Sequence, residues 1–208
     1  MTDWNLPPLE IEQRSFAIID AEAPPHDHSP AVWSIVRRMI HTTADFEYAS
    51  SVRIHPRALE AGIEALRRGR PLFTDTRMAL AGLSRRLAHF GVPADCLVSD
   101  PATAELAGSL GVTRSAAAVD LALDRIEDGI YVVGNAPTAL FRLLEHLAAG
   151  RPGPALIVGL PVGFVNAAES KAALVESGAV FITNVGRKGG SNVAAGVVNA
   201  LAELALAK

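Results

Sequence analysis

Short apolar runs alternate along the chain with longer stretches of helical periodicity. That alternation is the pattern of an α/β protein built on a mostly parallel sheet. Seven runs read as strands: residues 16–19, 51–54, 71–74, 96–98, 130–133, 155–158 and 180–183. Four of them run into a polar or glycine residue, at Asp75, Gly134, Gly159 and Asn184. Ligands of open α/β sheets sit outside the carboxyl ends of the strands, so chemistry is sought at those four endings.

The helices carry their own punctuation. Ser29-Pro30 supplies an N-cap followed by proline at the first helical position. Val32, Ile35, Val36 and Met39 then recur at helical spacing and form one apolar stripe. Helices over 56–68 and 78–90 end at Gly69 and Gly91, as left-handed C-caps require. Residues 101–110 and 114–126 read as a helical pair broken near Gly111. Residues 137–149 and 167–177 read as crossover helices, and a last helix runs from about Ser191 to Ala207. No internal repeat or proline-rich linker interrupts the 208 residues, so one domain spanning 1–208 is expected. The loop over 23–29 is the segment expected to be most mobile.

Composition narrows the classes. Apolar residues make up 50% and charged residues 20%, the balance of a soluble globular chain. The longest apolar runs, such as 155–160, are too short to cross a bilayer, and the first residues lack a basic-then-apolar leader. Cys96 is alone and has no disulfide partner, which suits a reducing cytoplasm. The net charge of −3 is not the footprint of a nucleic-acid binder. An anionic ligand would therefore need local cations, and Arg37-Arg38, Arg67-Arg68-Gly69-Arg70, Arg85-Arg86 and Arg187-Lys188 are the clusters available, each also readable as a solvated face.

Several residues could carry chemistry. His41 ends the first periodic helix nearly opposite Val32, off the core stripe; it is either a proton donor and acceptor or an exposed residue favoured by the helix C-terminus. His26 and His28 flank Asp27 and could form half a metal site, but no third ligand can be placed, so no metal is expected. The turn 184–192 sets glycines, Arg187, Lys188 and a hydroxyl at a helix start, an anion site in principle, yet it matches neither common phosphate-binding motif. Gly134-Asn135-Ala136-Pro137-Thr138 and the segment 159–166 are turns of the same kind. Asp75 is expected to cap the helix after it, with Thr74, Thr76 and Arg77 free to face a ligand. Thr113 is expected to cap the next one, leaving Arg114 to solvent or to a carboxylate. Cys96 reads as a core strand residue rather than a nucleophile.

Seven segments carry a resemblance over essentially the whole chain. They begin at Ile11-Glu12-Gln13-Arg14-Ser15-Phe16 and Arg38-Met39-Ile40-His41-Thr42-Thr43-Ala44-Asp45, and continue through Thr74-Asp75-Thr76-Arg77-Met78, Thr113-Arg114-Ser115 and Gly134-Asn135-Ala136-Pro137-Thr138. Gly159-Leu160-Pro161-Val162-Gly163-Phe164 and Gly186-Arg187-Lys188-Gly189-Gly190-Ser191 complete the set. Together they resemble the precorrin-8X methylmutase family, including its cobalt-precorrin-8 counterpart. The resemblance implies a Rossmann-like three-layer fold, a homodimer with sites near the interface, and migration of a methyl group from C-11 to C-12 of a corrin precursor. It also implies His41 as the proton donor and acceptor. No cofactor is expected, because a sigmatropic shift changes no oxidation state.

The substrate's rim of acetate and propionate arms suits arginines and helix N-termini. Ser15, Thr42, Thr74, Thr76, Arg77, Arg114 and Ser115 are therefore expected to line the pocket, with Asn135, Arg187 and Lys188 as further candidates. The partners expected are the corrinoid substrate, a second copy of the chain and neighbouring pathway enzymes in hand-over, with no nucleic acid and no membrane. A nucleotide- or phosphate-binding enzyme using the turn 186–192, and a non-catalytic corrinoid carrier, are the competing readings.

Overall fold

The six strands of the computed structural model, which describes residues 5–207, all belong to one sheet. They are β1 (Val52–Ile54), β2 (Leu72–Thr74), β3 (Ala94–Asp95), β4 (Ile130–Val133), β5 (Leu156–Gly159) and β6 (Phe181–Asn184). Their order is β1-β6-β5-β4-β2-β3; only β1, on one edge, runs antiparallel to its neighbour. β4, β5 and β6 are buried throughout, which is why each reads as a continuous apolar run rather than an alternation.

Among the described residues, ten α-helices cover the two faces: α1 (Pro8–Glu22), α2 (Pro30–Thr43), α3 (Tyr48–Ser51), α4 (Ala58–Arg67), α5 (Arg77–Gly82), α6 (Pro101–Leu110), α7 (Arg114–Ala122), α8 (Pro137–Ala148), α9 (Ala167–Glu176) and α10 (Ser191–Leu206). Strand side chains point alternately to opposite faces, and the two cores sort accordingly. Leu72, Ile130, Val132, Leu156, Val158 and Ile182 pack with residues of α2, α4 and α10. Phe73, Tyr131, Val133, Ile157 and Phe181 pack with α7, α8 and α9. The result is the three-layer α/β arrangement anticipated from the sequence.

The chain crosses from β2 to β3 by way of α5 and from β3 to β4 by way of α6 and α7. β3 and β4 flank β2 on opposite sides. The carboxyl ends of β2 and β4 therefore form the topological switch point of the sheet.

Four expectations about elements fail. Residues 16–19 lie inside α1, not in a strand. Phe16 and Ile19 are one helical turn apart and face inward together, and a four-residue apolar run cannot by itself distinguish that from a buried strand. Residues 96–98 are not a strand either. The β2–β3 ladder lasts two residues, then the Asp95 carboxylate takes the Cys96 N–H and the chain turns into a 3₁₀ helix, Leu97–Ser99. The helix expected over 78–90 stops at Gly82, where α10's Asn199 receives the Ser84 N–H, and resumes as a 3₁₀ helix, Arg85–Phe90. α7 likewise gives way to a 3₁₀ turn, Leu123–Arg125. The loop 23–29 is present but tethered: His26 stacks on Trp33 with ring centroids 3.9 Å apart, and a ring nitrogen of His28 lies 2.9 Å from the Ala49 carbonyl oxygen.

Candidate active site

His41 owes its position to the way α2 begins and ends. The Ser29 hydroxyl accepts the Val32 N–H and Pro30 opens the first turn. Ile35, Val36, Met39 and Ile40 bury the helix against the sheet and α10. Ala44 then adopts φ 54°, a left-handed conformation that stops the helix, with its N–H closing on Ile40. His41 lies in that last turn, off the buried stripe and half-exposed.

The imidazole lines an open groove of about 350 Å³ with Ser15, Ile18, Glu22, Ala44 and Phe46. α1 forms one wall and the end of α2 the other. Phe16 meets the imidazole edge-on, with ring centroids 5.2 Å apart. The Phe16 ring is itself held by the guanidinium groups of Arg37 and Arg38, 4.3 and 4.8 Å from its centroid. Arg38 continues the support through Glu12 and Glu203, and its hydrogen bond holds the Glu12 carboxyl below the usual carboxylate range. One ring nitrogen each of His28, His55 and His146 is hydrogen-bonded. Among the described residues, the His41 ring, like those of His26 and His89, has no such partner, and of these three it is the one that lines the groove.

The strand ends are built around Asp75. The expectation that it caps the following helix fails, because Thr76 does that, accepting the Ala79 N–H at 3.0 Å. Asp75 instead accepts the N–H groups of Gly134, Asn135 and Ala136 at 2.8, 2.8 and 2.7 Å. Burial pushes its carboxyl up, against the pull of those three donors. The switch-point cradle at the start of α8 is thus filled by the protein's own carboxylate, and the turn 134–138 is not an anion site. Gly134 is required there: a Cβ would lie 2.6 Å from the Ser191 Cα at the head of α10.

The sequence-derived site residues fall into three groups. Ser15 and His41 share the groove, although the Ser15 hydroxyl bonds the Ile11 carbonyl. The Thr42 hydroxyl bonds the Arg38 carbonyl and rests against Gly196 of α10. At the strand ends, Thr74 is buried and donates to the Thr76 carbonyl, Thr76 meets Ser191 at 2.7 Å, and Asn135 is exposed. The third group opens helices or lies on the last loop. Arg77 and Arg114 are exposed at the starts of α5 and α7, without an ion pair among the described residues; Ser115 is half-buried beside Arg114. As expected, Thr113 caps α7. Arg187 stacks over Phe164 at 5.5 Å. Lys188 pairs with Asp45 and, at 2.8 Å, with Glu47; the two carboxylates raise its pKa. Lys188 thereby ties the strand-end loop to the segment that follows His41.

Phe16 sits in a short apolar run that reads as a strand, and no local pattern brings Glu22 and Phe46 beside His41. Lys171 lies on the buried stripe Ala167, Ser170, Lys171, Leu174 of α9. Cys96 is buried. Among the described residues, no three of His, Cys, Asp or Glu are grouped so as to hold a metal ion, and no helix is long and apolar enough to cross a membrane.

Comparison with known proteins converges on one family. Residues 10–204 match the family model described as Precorrin-8X methylmutase. The Cobalt-precorrin-8 methylmutase of Salmonella typhimurium is 48% identical over 201 residues, covering 93% of this chain and 94% of that protein. The Precorrin-8X methylmutase of Pseudomonas aeruginosa is 40% identical, covering 97% and 98%. The crystal structure of precorrin-8x methyl mutase from Thermus thermophilus superposes with a TM-score of 0.88 at 44% identity, covering 95% and 96%. With the whole described fold and nearly the whole sequence accounted for, the chain belongs to the precorrin-8X methylmutase family.

Proposed function

We propose that the chain is an isomerase of cobalamin biosynthesis in which His41 supplies the proton for methyl migration. The methyl group leaves C-11 of the macrocycle and bonds to C-12, giving hydrogenobyrinate from precorrin-8X or cobyrinate from the cobalt form. One C–C bond breaks and one forms, so the step consumes no reductant and releases no fragment. What remains for a protein is to hold the ring in a reactive shape and to place a proton.

The observation that carries this reading is the His41 imidazole, open in a groove beside Phe16 and unpaired among the described residues. In the proposed complex it protonates the macrocycle near ring C, and the added charge eases migration. Arg77 and Arg114 grip acid side arms, since an arginine without a carboxylate beside it has its donors available. Ser15, Thr42, Thr74, Thr76, Ser115, Asn135, Arg187 and Lys188 complete the lining, all within one domain of residues 1–208. The groove's 350 Å³ lies near the low end of small-molecule sites, about 300–1,000 Å³. It admits an edge of a macrocycle, and a second copy of the chain, as a homodimer, covers the rest. The enzyme works in the cytoplasm, receiving and handing on its corrinoid among neighbouring pathway enzymes.

Incubation with precorrin-8X tests the reaction. The visible spectrum should shift to that of the more fully conjugated product at catalytic enzyme levels. A spectrum that only changes in proportion to bound protein, without turnover, would mark a carrier. Thermal stabilisation by a nucleotide, with no effect of the corrinoid, would mark the phosphate-binding reading.

A further inference from the structure

Lys171 of α9 has 1% of its surface exposed, and its ammonium faces no carboxylate among the described residues. It donates to two neutral oxygens: the Asn184 side-chain oxygen at 3.1 Å and the backbone carbonyl of Lys188. Asn184, at the end of β6, donates in turn to the carbonyls of Val185 and Lys188 at 3.2 and 3.0 Å. The loop 185–190 is therefore fastened from beneath by one amide and one buried cation.

The cation is an expensive choice for fastening. Burial alone pushes its pKa down to about 8, since no counter-charge offsets the lost hydration. Its neighbours on the helix stripe are Ala167, Ser170 and Leu174, among which a methionine of similar length would pack without that penalty. Above Lys171, the loop carries Arg187 and Lys188, and the Lys188 ammonium reaches Asp45, four residues beyond His41. The loop also closes on the neighbouring strand-end loop through Gly163 N–H to the Arg187 carbonyl, at 3.2 Å, and Gly190 N–H to the Leu160 carbonyl, at 2.9 Å. One buried ammonium thus stands at the root of a chain of contacts that spans the strand ends and the end of α2.

We propose that Lys171 is a positioning residue, whose buried ammonium sets the loop 185–190 through the Lys188 carbonyl so that Lys188 stays tied to Asp45 and Glu47 and Arg187 presents positive charge to the acid side arms of the macrocycle. The proposal rests on the corrinoid reading above. The loop's grip is on the rim, away from the migrating methyl, so it acts on ground state and transition state alike. Its loss should raise KM and leave kcat nearly unchanged.

The test compares wild type, Lys171→Met and Asn184→Ala in the full chain by hydrogen exchange, by hydrogenobyrinate titration and by single-turnover kinetics. In Lys171→Met, amides of 185–190 should exchange at least about tenfold faster with β5 and the middle of α10 unchanged. The Kd for hydrogenobyrinate should rise about tenfold, while the rate of the bound complex stays within about twofold. Asn184→Ala keeps the buried ammonium and should move both readouts the same way by less, so it serves if Lys171→Met does not fold. Wild-type exchange in the loop overturns the proposal, as does faster exchange with an unaltered Kd. A fall in kcat alone also overturns it. If wild type itself neither binds nor converts the corrinoid while the loop exchange responds as stated, the corrinoid reading fails and the ligand half of the proposal with it.

Discussion

Arg114 opens α7 with no ion pair among the described residues, whereas Arg86 lies 3.2 Å from Glu203. The difference decides which guanidinium can serve a ligand. Arg114→Ala should weaken hydrogenobyrinate binding about tenfold or more, the scale of one charge-assisted hydrogen bond of about 1.5–3 kcal/mol. Arg86→Ala should change it less than about twofold. Equal dissociation constants by titration would remove Arg114 from the pocket. Lys171 makes a second prediction, on stability. Its folded pKa is pushed down to about 8, against about 10.4 in an unfolded chain. Between those values the unfolded state holds the proton and the folded state does not, so stability rises with pH, by up to about 1.4 kcal/mol per unit. Urea titrations should show the unfolding free energy of wild type, minus that of Lys171→Met, growing from pH 7.5 to 10. A constant difference would mean the ammonium is not desolvated. The position of His41 off the buried stripe of α2 was legible at this scale, because a histidine outside a clear apolar pattern stands out. Phe16 and Lys171 were not, since an aromatic in a short apolar run and a lysine in a mixed helix look ordinary until their neighbours are known.

Among the elements, α8 shows most clearly what a sequence hides. Gly134-Asn135-Ala136-Pro137-Thr138 reads as an anion-binding turn, and the fold does put an anion there, but it is Asp75, 59 residues earlier in the chain. The contact bolts β2 to β4 across the switch point, and no local pattern announces it. Asp75→Ala should strand three buried or half-buried donors and lower stability by about 3 kcal/mol in denaturant titration, with a smaller loss for Asp75→Asn, which keeps one acceptor. A loss under about 1 kcal/mol for Asp75→Ala would show that water replaces the carboxylate. The caps at Ser29 and Thr113 were legible because capping is local. The break in the 78–90 helix was not, because Asn199 of α10 makes it from the far end of the chain.

For the molecule as a whole, the alternation of apolar runs and helical stretches was sufficient to foresee an α/β fold on a mostly parallel sheet, and the family resemblance added the three layers. It left the assembly of the site unforeseen, since the site needs α1 laid across the end of α2 and the last loop tied back to Asp45. The groove is open, and Ile18 on its wall is 55% exposed; Phe164, over which Arg187 stacks, is 84% exposed. Light scattering should give twice the mass of one chain, consistent with a second copy closing the site; a monomer at working concentration would contradict that closure. The central claim concerns the proton at His41, and single-turnover kinetics of the preformed precorrin-8X complex test it most directly. His41→Ala should bind the macrocycle yet convert it at least about a hundredfold more slowly than wild type, the scale of a lost general acid. Conversion by His41→Ala at the wild-type rate would contradict the account.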